Sequence, residues 1–307
     1  MSYFNNNISY GYINFDFTNQ NPVLEVSITQ NGKSLYERIV SDIDLFYNYE
    51  KQDFEKKLYY MGALQYAVAL EDKENVVLYS DGLKEEITSE NVDSSETVYD
   101  SSDALFSKSY VVNGAITVTS PTYTCKYNKT KSLISLGTID RLTGKYACAV
   151  LALTEIANQE GVLKNDSIAD SYNQLWKDTE STVEKTVNDI KCGVTLDDMI
   201  KSGMKQYLSA RGKGNSKITD KKNPGFAFFK DMIESNSSGT LTYRIMTKDE
   251  GKTGHTVNVV GYCVARLNGV FSNYLIVADG WNADAPRYIN LTSADFVNSY
   301  GVKYVIK

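Results

Sequence analysis

Apolar and polar residues alternate through much of residues 10–45, a pattern that predicts strands joined by turns. The alternation continues on both sides of Asn31-Gly32, a dipeptide typical of tight hairpins. In residues 50–70 the apolar positions recur at helical spacing instead. This stretch is therefore predicted to be a helix.

The composition changes between residues 84 and 103, where the chain reads KEEITSENVDSSETVYDSSD. This stretch is acidic, rich in serine and nearly free of large apolar residues, so it predicts either a linker or a solvated surface loop. As a linker, it divides the chain into a smaller N-terminal domain of α/β type, residues 1–105, and a larger domain, residues 106–307.

Four helices are predicted between residues 147 and 237 of the larger domain. Residues 147–160 are apolar on nearly all sides, which predicts a buried helix that ends at Gly161. Residues 166–191 and 195–211 have the apolar stripe of amphipathic helices, the second capped by Thr195 and closed by Gly212. The segment GFAFFKDMIESNS predicts the fourth.

From residue 240 to the end, short segments rich in β-branched and aromatic residues predict strands. These segments are GTLTYRIMT, GHTVNVVGYCVA, YLIVADGW, RYINL and VKYVIK. A buried helix, then further helices, then an antiparallel sheet is the order of an α+β domain. We therefore expect an α+β fold in which a central buried helix packs on the sheet.

The 307 residues are 42% hydrophobic and 23% charged, which is ordinary for a globular chain with a sizeable core. The formal net charge of -6 argues against a broad nucleic-acid surface and against binding to an anionic membrane. No apolar run is long enough to span a bilayer, so we expect neither a nucleic-acid partner nor a membrane-spanning segment. The first residues, MSYFNNNISYGY, lack the regions of a signal peptide, which predicts an intracellular protein or one whose signal has been removed.

Four cysteines and a single histidine limit the chemistry of the chain. The cysteines are too few for a disulfide framework and form no CxxC pair, and one histidine disfavours a zinc site. We therefore expect neither a metal nor a cofactor. Cys148 begins the predicted buried helix, where the helix dipole and unpaired N–H groups favour a thiolate.

His255 is the only histidine available to Cys148, and it enters an apolar strand directly after Gly254. The glycine allows another backbone or a substrate to approach closely, and the strand behind the ring would hold it rigidly. Asp279 ends the next strand and is a candidate to orient the ring, with Trp281 sheltering that contact from water. Each residue also has an ordinary explanation: Cys148 as a small core residue, His255 as structural, and Asp279 as part of a turn.

The candidate residues occur in a characteristic order: a cysteine that begins a helix, then GHTVNVVGY at residues 254–262, then VADGWN at residues 277–282. With these motifs, residues 120–307 resemble the papain-like cysteine peptidases, especially the bacterial streptopain, staphopain and bacteriocin-processing branches. The resemblance implies a papain-like fold, a protein or peptide substrate, and a thioester intermediate. It implies that Cys148 is the nucleophile, His255 the general base and acid, and Asp279 the orienter, where the family usually has Asn.

One position departs from the family pattern. The family often has a Gln six residues before the cysteine, which donates a hydrogen bond to the oxyanion, and this chain has Leu142 there. The backbone N–H of Cys148 remains as one donor, and a second would come from Thr143, Lys145, Asn128 or the backbone. Losing one such donor typically costs on the order of 10²–10³ in rate.

The resemblance also implies a role for residues 1–105, as an inhibitory prodomain released by cleavage in the acidic, serine-rich stretch. The intact chain would then be the zymogen of a bacterial peptidase that is secreted or held at the cell surface, by family analogy. Three alternatives remain open. They are an accessory domain that stays attached, a transglutaminase-like or amidase acyl transferase with the same three residues, and an inactive papain-fold module for binding or adhesion.

Overall fold

A computed structural model of the chain describes residues 2–5, 8–15, 23–28, 55–62, 65–71, 76–80, 84–85, 98–100, 119–125, 133–163, 165–187, 189–247, 251–267, 270–281, 287–291 and 296–307. The strands, in chain order, are β1 (Ser2–Asn5), β2 (Ile8–Phe15), β3 (Val23–Ile28), β4 (Glu55–Gly62), β5 (Gln65–Glu71), β6 (Val76–Ser80), β7 (Lys84–Glu85), β8 (Val98–Asp100), β9 (Thr119–Cys125), β10 (Lys145–Tyr146), β11 (Thr182–Val187), β12 (Ile190–Val194), β13 (Lys217–Lys222), β14 (Ser238–Thr247), β15 (Gly251–Leu267), β16 (Val270–Ala278), β17 (Arg287–Asn290) and β18 (Asn298–Val305). The helices are α1 (Leu136–Thr143), α2 (Cys148–Gln159), α3 (Ile168–Asp178), α4 (Asp197–Ala210) and α5 (Phe226–Glu234).

The largest sheet has the strand order β1-β2-β3-β17-β16-β15-β14-β18-β13, and β9 also pairs with β15. Its strand pairs are antiparallel. Two smaller sheets have the orders β10-β12-β11 and β7-β6-β5-β4-β8. Helices followed by antiparallel strands make the C-terminal part α+β, as its sequence predicts. The five strands from GTLTYRIMT onward are confirmed.

Helix α2 is the centre of the core and confirms the predicted buried helix. Residues from Ala149 to Ala157 are all buried, and the helix packs on β14 and β15. Its one buried carboxylate, Glu155, accepts a hydrogen bond from the Ile134 N–H at 2.9 Å. Gly161 follows the helix with φ of 69°, a left-handed conformation that glycine adopts without strain. The predicted stop at Gly161 is therefore confirmed.

The helix predicted for residues 50–70 is wrong, because this stretch forms the antiparallel hairpin of β4 and β5. Apolar residues in a short run fit both the helical repeat and the alternation of a strand, so their spacing does not distinguish a helix from a strand. Two other properties favour strands. Tyrosines at positions 59, 60 and 66 suit a pleated sheet, and Gly62 would be unfavourable inside a helix.

The helix predicted for residues 166–191 is too long. A capping box between Ser167 and Asp170 begins α3, and the helix ends at Asp178. Glu180 has φ of 50°, and the β-branched residues beyond it form the antiparallel pair β11 and β12.

The last two predicted helices are confirmed, with one change at a cap. Helix α4 begins after Leu196 rather than after Thr195, whose hydroxyl instead contacts the Ser181 hydroxyl at 2.5 Å. Gly212 follows α4 with φ of 73°, which confirms the predicted stop. Helix α5 corresponds to the GFAFFKDMIESNS segment.

The Asn31-Gly32 turn lies outside the described residues, as does most of the acidic stretch between β7 and β8. On the N-terminal side of that stretch, β3 pairs with β17 through Val26 with Tyr288 and Glu25 with Ile289. The largest sheet therefore contains strands from both sides of the predicted boundary at residue 105.

Candidate functional site

Cys148 is the first residue of α2, at the end of the helix where backbone N–H groups are unpaired. The preceding N–H, that of Ala147, is bound to the Tyr172 hydroxyl at 2.7 Å. Cys148 is partly exposed. Burial raises the pKa of its thiol, and hydrogen bonding from the backbone and the side chain of Thr256 offsets part of that rise. The Cys148 sulfur therefore lies against β15 at the residue directly after His255.

His255 is buried on β15, opposite Tyr243 of β14. Its Nε2 is 2.8 Å from the backbone carbonyl oxygen of Asp279. Because a carbonyl only accepts hydrogen bonds, Nε2 carries the proton in the neutral ring, and Nδ1 keeps its lone pair. Burial lowers the pKa of His255 to about 4. The ring is therefore a neutral base at ordinary pH, with Nδ1 as its basic atom.

Aromatic rings enclose His255. Trp281 stacks on the imidazole, with ring centroids 4.0 Å apart and planes at 7°. Tyr243 meets the imidazole edge-on at 5.9 Å, and Phe296 stacks on Tyr243 at 4.8 Å. Trp281 thus covers the ring that forms the His255–Asp279 hydrogen bond.

The Asp279 carboxylate binds Arg287, whereas the Asp279 backbone carbonyl binds the His255 ring. The carboxylate accepts from Arg287 Nη1 at 2.6 Å and from the Trp281 backbone N–H at 2.9 Å. The side chains of Asp279 and Arg287 are each 1% exposed, so this is a fully buried ion pair. Asp279 therefore orients His255 through its backbone carbonyl, whereas the sequence favours the side chain for that contact.

The turn after Asp279 brings β16 against α2. Gly280 has φ of 80°, and a Cβ there would lie 2.8 Å from Leu151 Cδ2. A larger residue would therefore be strained and would collide with α2. This close approach gathers Asp279 and Trp281 beside the helix that begins with Cys148.

The candidate second oxyanion donors are engaged elsewhere or lie outside the described residues. The Thr143 hydroxyl points to the carbonyls of Ile139 at 2.8 Å and Lys145 at 3.1 Å. The Lys145 ammonium lies 4.8 Å above the Trp176 ring. Asn128 is not among the described residues.

Two further positions that the sequence singles out have clear surroundings. Leu142 is 54% exposed, so the position that often holds the family's Gln faces solvent on α1. A Cβ on Gly254 would lie 3.2 Å from the Tyr243 carbonyl oxygen, so the close neighbour that this glycine accommodates is β14.

Three residues of the site are missed by sequence reasoning: Tyr146, Thr256 and Arg287. Tyr146 stands two positions before Cys148, and its buried O–H has no acceptor in the described part of the chain. Thr256 lies in a mostly apolar strand, where nothing in the sequence marks it as a partner of Cys148. Arg287 begins the short strand RYINL, and a charged residue at the edge of a buried strand is a signal for a buried partner.

No protein-family model matches the chain, and no curated protein sequence matches it. None of the helices in the described ranges is long and apolar enough to cross a membrane. Within the same ranges, no three His, Cys, Asp or Glu side chains are grouped to hold a metal ion. Function must therefore be inferred from the residues and their geometry.

Proposed function

We propose that this chain is a papain-like cysteine peptidase that hydrolyses peptide bonds of a protein or peptide substrate. One observation carries the proposal. A cysteine at the start of the buried helix α2 lies against the strand position next to His255, whose ring is oriented by Asp279 and covered by Trp281. A nucleophile, a base and an orienting group are the three parts that covalent acyl transfer needs.

The mechanism begins when Nδ1 of His255 takes the thiol proton while the Cys148 sulfur attacks the carbonyl carbon of the substrate. The electrons of the carbonyl double bond move to oxygen and form an oxyanion. When the double bond forms again, the C–N bond breaks, and the leaving amine takes the proton from His255. Water, deprotonated by His255, then attacks the thioester carbon. The C–S bond breaks, the acid is released, and the Cys148 thiolate takes the proton back from His255.

No hydrogen bond joins the Cys148 thiol to the His255 ring in the described residues, and both groups favour their neutral forms. Burial raises the pKa of the thiol and lowers that of the imidazole. Hydrogen bonds between catalytic groups are often long before substrate binds and tighten in the complex.

The second part of the proposal is that the intact chain is a zymogen. Residues 1–105 act as an inhibitory prodomain, and cleavage falls in the acidic stretch between β7 and β8. Strand β3 pairs with β17, the strand that begins with Arg287. Release of β3 would free the edge of the strand whose arginine holds Asp279. Secretion from a bacterium, or display on its surface, belongs to the same proposal.

Casein hydrolysis tests the proposed activity. Fluorescein-labelled casein is incubated with the intact chain and with a sample nicked by limited proteolysis. We expect the nicked wild type to be active and Cys148→Ala to be inactive, because no other group replaces the sulfur. Cys263→Ala is the matched control, since Cys263 is also free and lies on β15. It should remain active.

Several outcomes would overturn parts of the proposal. Hydrolysis by Cys148→Ala would exclude this nucleophile. Equal activity before and after nicking would remove the inhibitory prodomain but keep the peptidase. Amine transfer to a Cys148 acyl group without hydrolysis would favour the acyl transferase, and the absence of any reaction at Cys148 would favour an inactive binding module.

A further inference from the structure

We propose that Tyr146 is a catalytic residue whose hydroxyl donates a hydrogen bond to the oxyanion formed during attack by Cys148. This role rests on the proposed function and supplies the second donor that Leu142 does not provide. Two features of the structure carry it. The Tyr146 hydroxyl is directed to the Cys148 side of the chain, and its buried O–H has no acceptor among the described residues.

The backbone sets the direction of the Tyr146 side chain. Tyr146 pairs with Cys192 in the parallel pair of β10 and β12, so its backbone is fixed. Ala147 has an extended conformation, with φ of -141° and ψ of 124°. In extended backbone the side chains of residues i and i+2 lie on the same side. The Tyr146 and Cys148 side chains therefore leave the chain on one side.

The Tyr146 hydroxyl is the end of a side chain that is only 6% exposed. Within the described residues its O–H has no acceptor, because the neighbouring Trp281 indole N–H can only donate to the Tyr146 oxygen. A buried polar group without a partner is unfavourable, so such a group in a folded protein calls for an explanation. An acceptor that arrives with the substrate, once nicking opens the buried site, would satisfy this donor.

The neighbours of the hydroxyl are the groups of the candidate site. A Cβ on Gly280 would lie 3.7 Å from the Tyr146 oxygen, which places this hydroxyl at the turn between Asp279 and Trp281. Burial raises the pKa of the Tyr146 phenol, and the nearby Cys148 sulfur adds to the rise. The Trp281 indole faces the hydroxyl and opposes that rise. Tyr146 therefore keeps its proton at ordinary pH and remains a donor.

The step needs no proton transfer from Tyr146. When sulfur attacks, the electron pair of the carbonyl bond moves to oxygen, and the Tyr146 O–H and the Cys148 backbone N–H donate to that oxygen. The thiol proton goes to His255, and the phenol keeps its own. Hydrogen bonds that strengthen as charge develops lower the barrier without trapping the substrate.

Two reactions of the same thiol separate this role from a structural one. Acylation of Cys148 by p-nitrophenyl acetate passes through an oxyanion, whereas alkylation by iodoacetamide occurs at a saturated carbon and forms none. Both rates are measured on the full chain, intact and nicked, with the modified cysteine mapped by mass spectrometry. The ratio of the two rates isolates the oxyanion donor from the reactivity of the sulfur.

Tyr146→Phe removes the hydroxyl and keeps the ring. We expect its acylation rate to fall about 10²-fold, the typical cost of one oxyanion donor, while its alkylation rate is unchanged. Tyr304→Phe is the matched control, because Tyr304 is also a buried tyrosine of the same core. Tyr304 pairs with Ser238, roughly 16 Å along β14 from the residue opposite His255. It should change neither rate.

Each other outcome has a defined meaning. Equal acylation by Tyr146→Phe and wild type would overturn the role of Tyr146 and leave the peptidase standing. Equal loss of both reactions, or a marked fall in melting temperature, would show that the hydroxyl is structural and would also overturn the role. A wild type that is alkylated but never acylated at Cys148 would overturn the proposed function, and this role with it.

Discussion

The buried ion pair of Asp279 and Arg287 allows the fold and the site to be perturbed separately. The two side chains are 2.6 Å apart and each is 1% exposed. Asp279→Asn leaves the arginine charge without its carboxylate, and Arg287→Met leaves the carboxylate without its arginine, with the Trp281 N–H still donating to it. Removing one partner of a buried pair typically costs about 3–5 kcal/mol of stability, because an uncompensated charge stays buried.

The double variant should behave differently from either single one. With both charges gone, no buried charge is left unpaired, and replacing a buried pair by neutral residues is often close to neutral. We therefore expect the double variant to recover most of the stability lost by each single variant, a strongly non-additive result. Urea unfolding at pH 7 measures the three free energies. The partly exposed pair of Arg244 and Asp197 is the control, and Asp197→Asn should cost about 1 kcal/mol or less.

The same double variant tests which atom orients His255. The ring binds the backbone carbonyl of Asp279, which the substitution keeps. Cys148 acylation by the folded double variant should therefore stay within about tenfold of wild type. A loss near 10⁴-fold, the scale of a triad whose histidine has the wrong tautomer, would mean that the carboxylate itself is needed. That result would refute the assignment of the carbonyl.

Three further predictions follow from single positions. Burial lowers the pKa of His255 from 6.5 to about 4, so its contribution to stability is full above pH 6.5 and is lost as the pH falls towards 4. By pH 4, urea unfolding of wild type should show about 3 kcal/mol more loss than His255→Asn, and equal losses would contradict the neutral ring. Leu142→Gln should leave Cys148 acylation unchanged because this side chain is 54% exposed, and a gain near 10²-fold would show that position 142 reaches the oxyanion. Glu155→Ala should cost about 1–3 kcal/mol by leaving the Ile134 N–H unpaired, whereas Glu155→Gln, which keeps an acceptor, should cost less; equal costs would mean that the hydrogen bond contributes nothing.

Periodicity predicts the elements whose environment is uniform. Helix α2 is apolar on all sides and buried on all sides, and strands β14 to β18 are rich in residues that favour sheets. The helix predictions for residues 50–70 and 182–194 are wrong for a common reason. Their local patterns fit both a helix and a strand, and pairing with neighbouring strands decides between them.

The order of Cys148, His255 and Asp279 along the chain predicts which elements meet, but not which atoms touch. Sequence gives no means of separating the Asp279 carboxylate from its backbone carbonyl as the partner of His255. Arg287 decides between the two, because it binds the carboxylate. It lies on a strand that the site motifs do not include. Tyr146 is missed for a related reason, since one tyrosine among 23 carries no signal until its O–H is seen to lack an acceptor.

The most direct test of the account is the rate of Cys148 alkylation by iodoacetamide at pH 6, mapped by mass spectrometry. It is measured on intact and nicked chains of wild type and His255→Asn, with Cys263 as the internal reference. Because His255 is proposed to take the thiol proton, Cys148 should react fast in nicked wild type and slowly in nicked His255→Asn, while Cys263 is unchanged. The intact wild type should also react slowly, since burial raises the pKa of its thiol. Equal Cys148 rates in the two nicked chains would contradict the claim that His255 activates this cysteine.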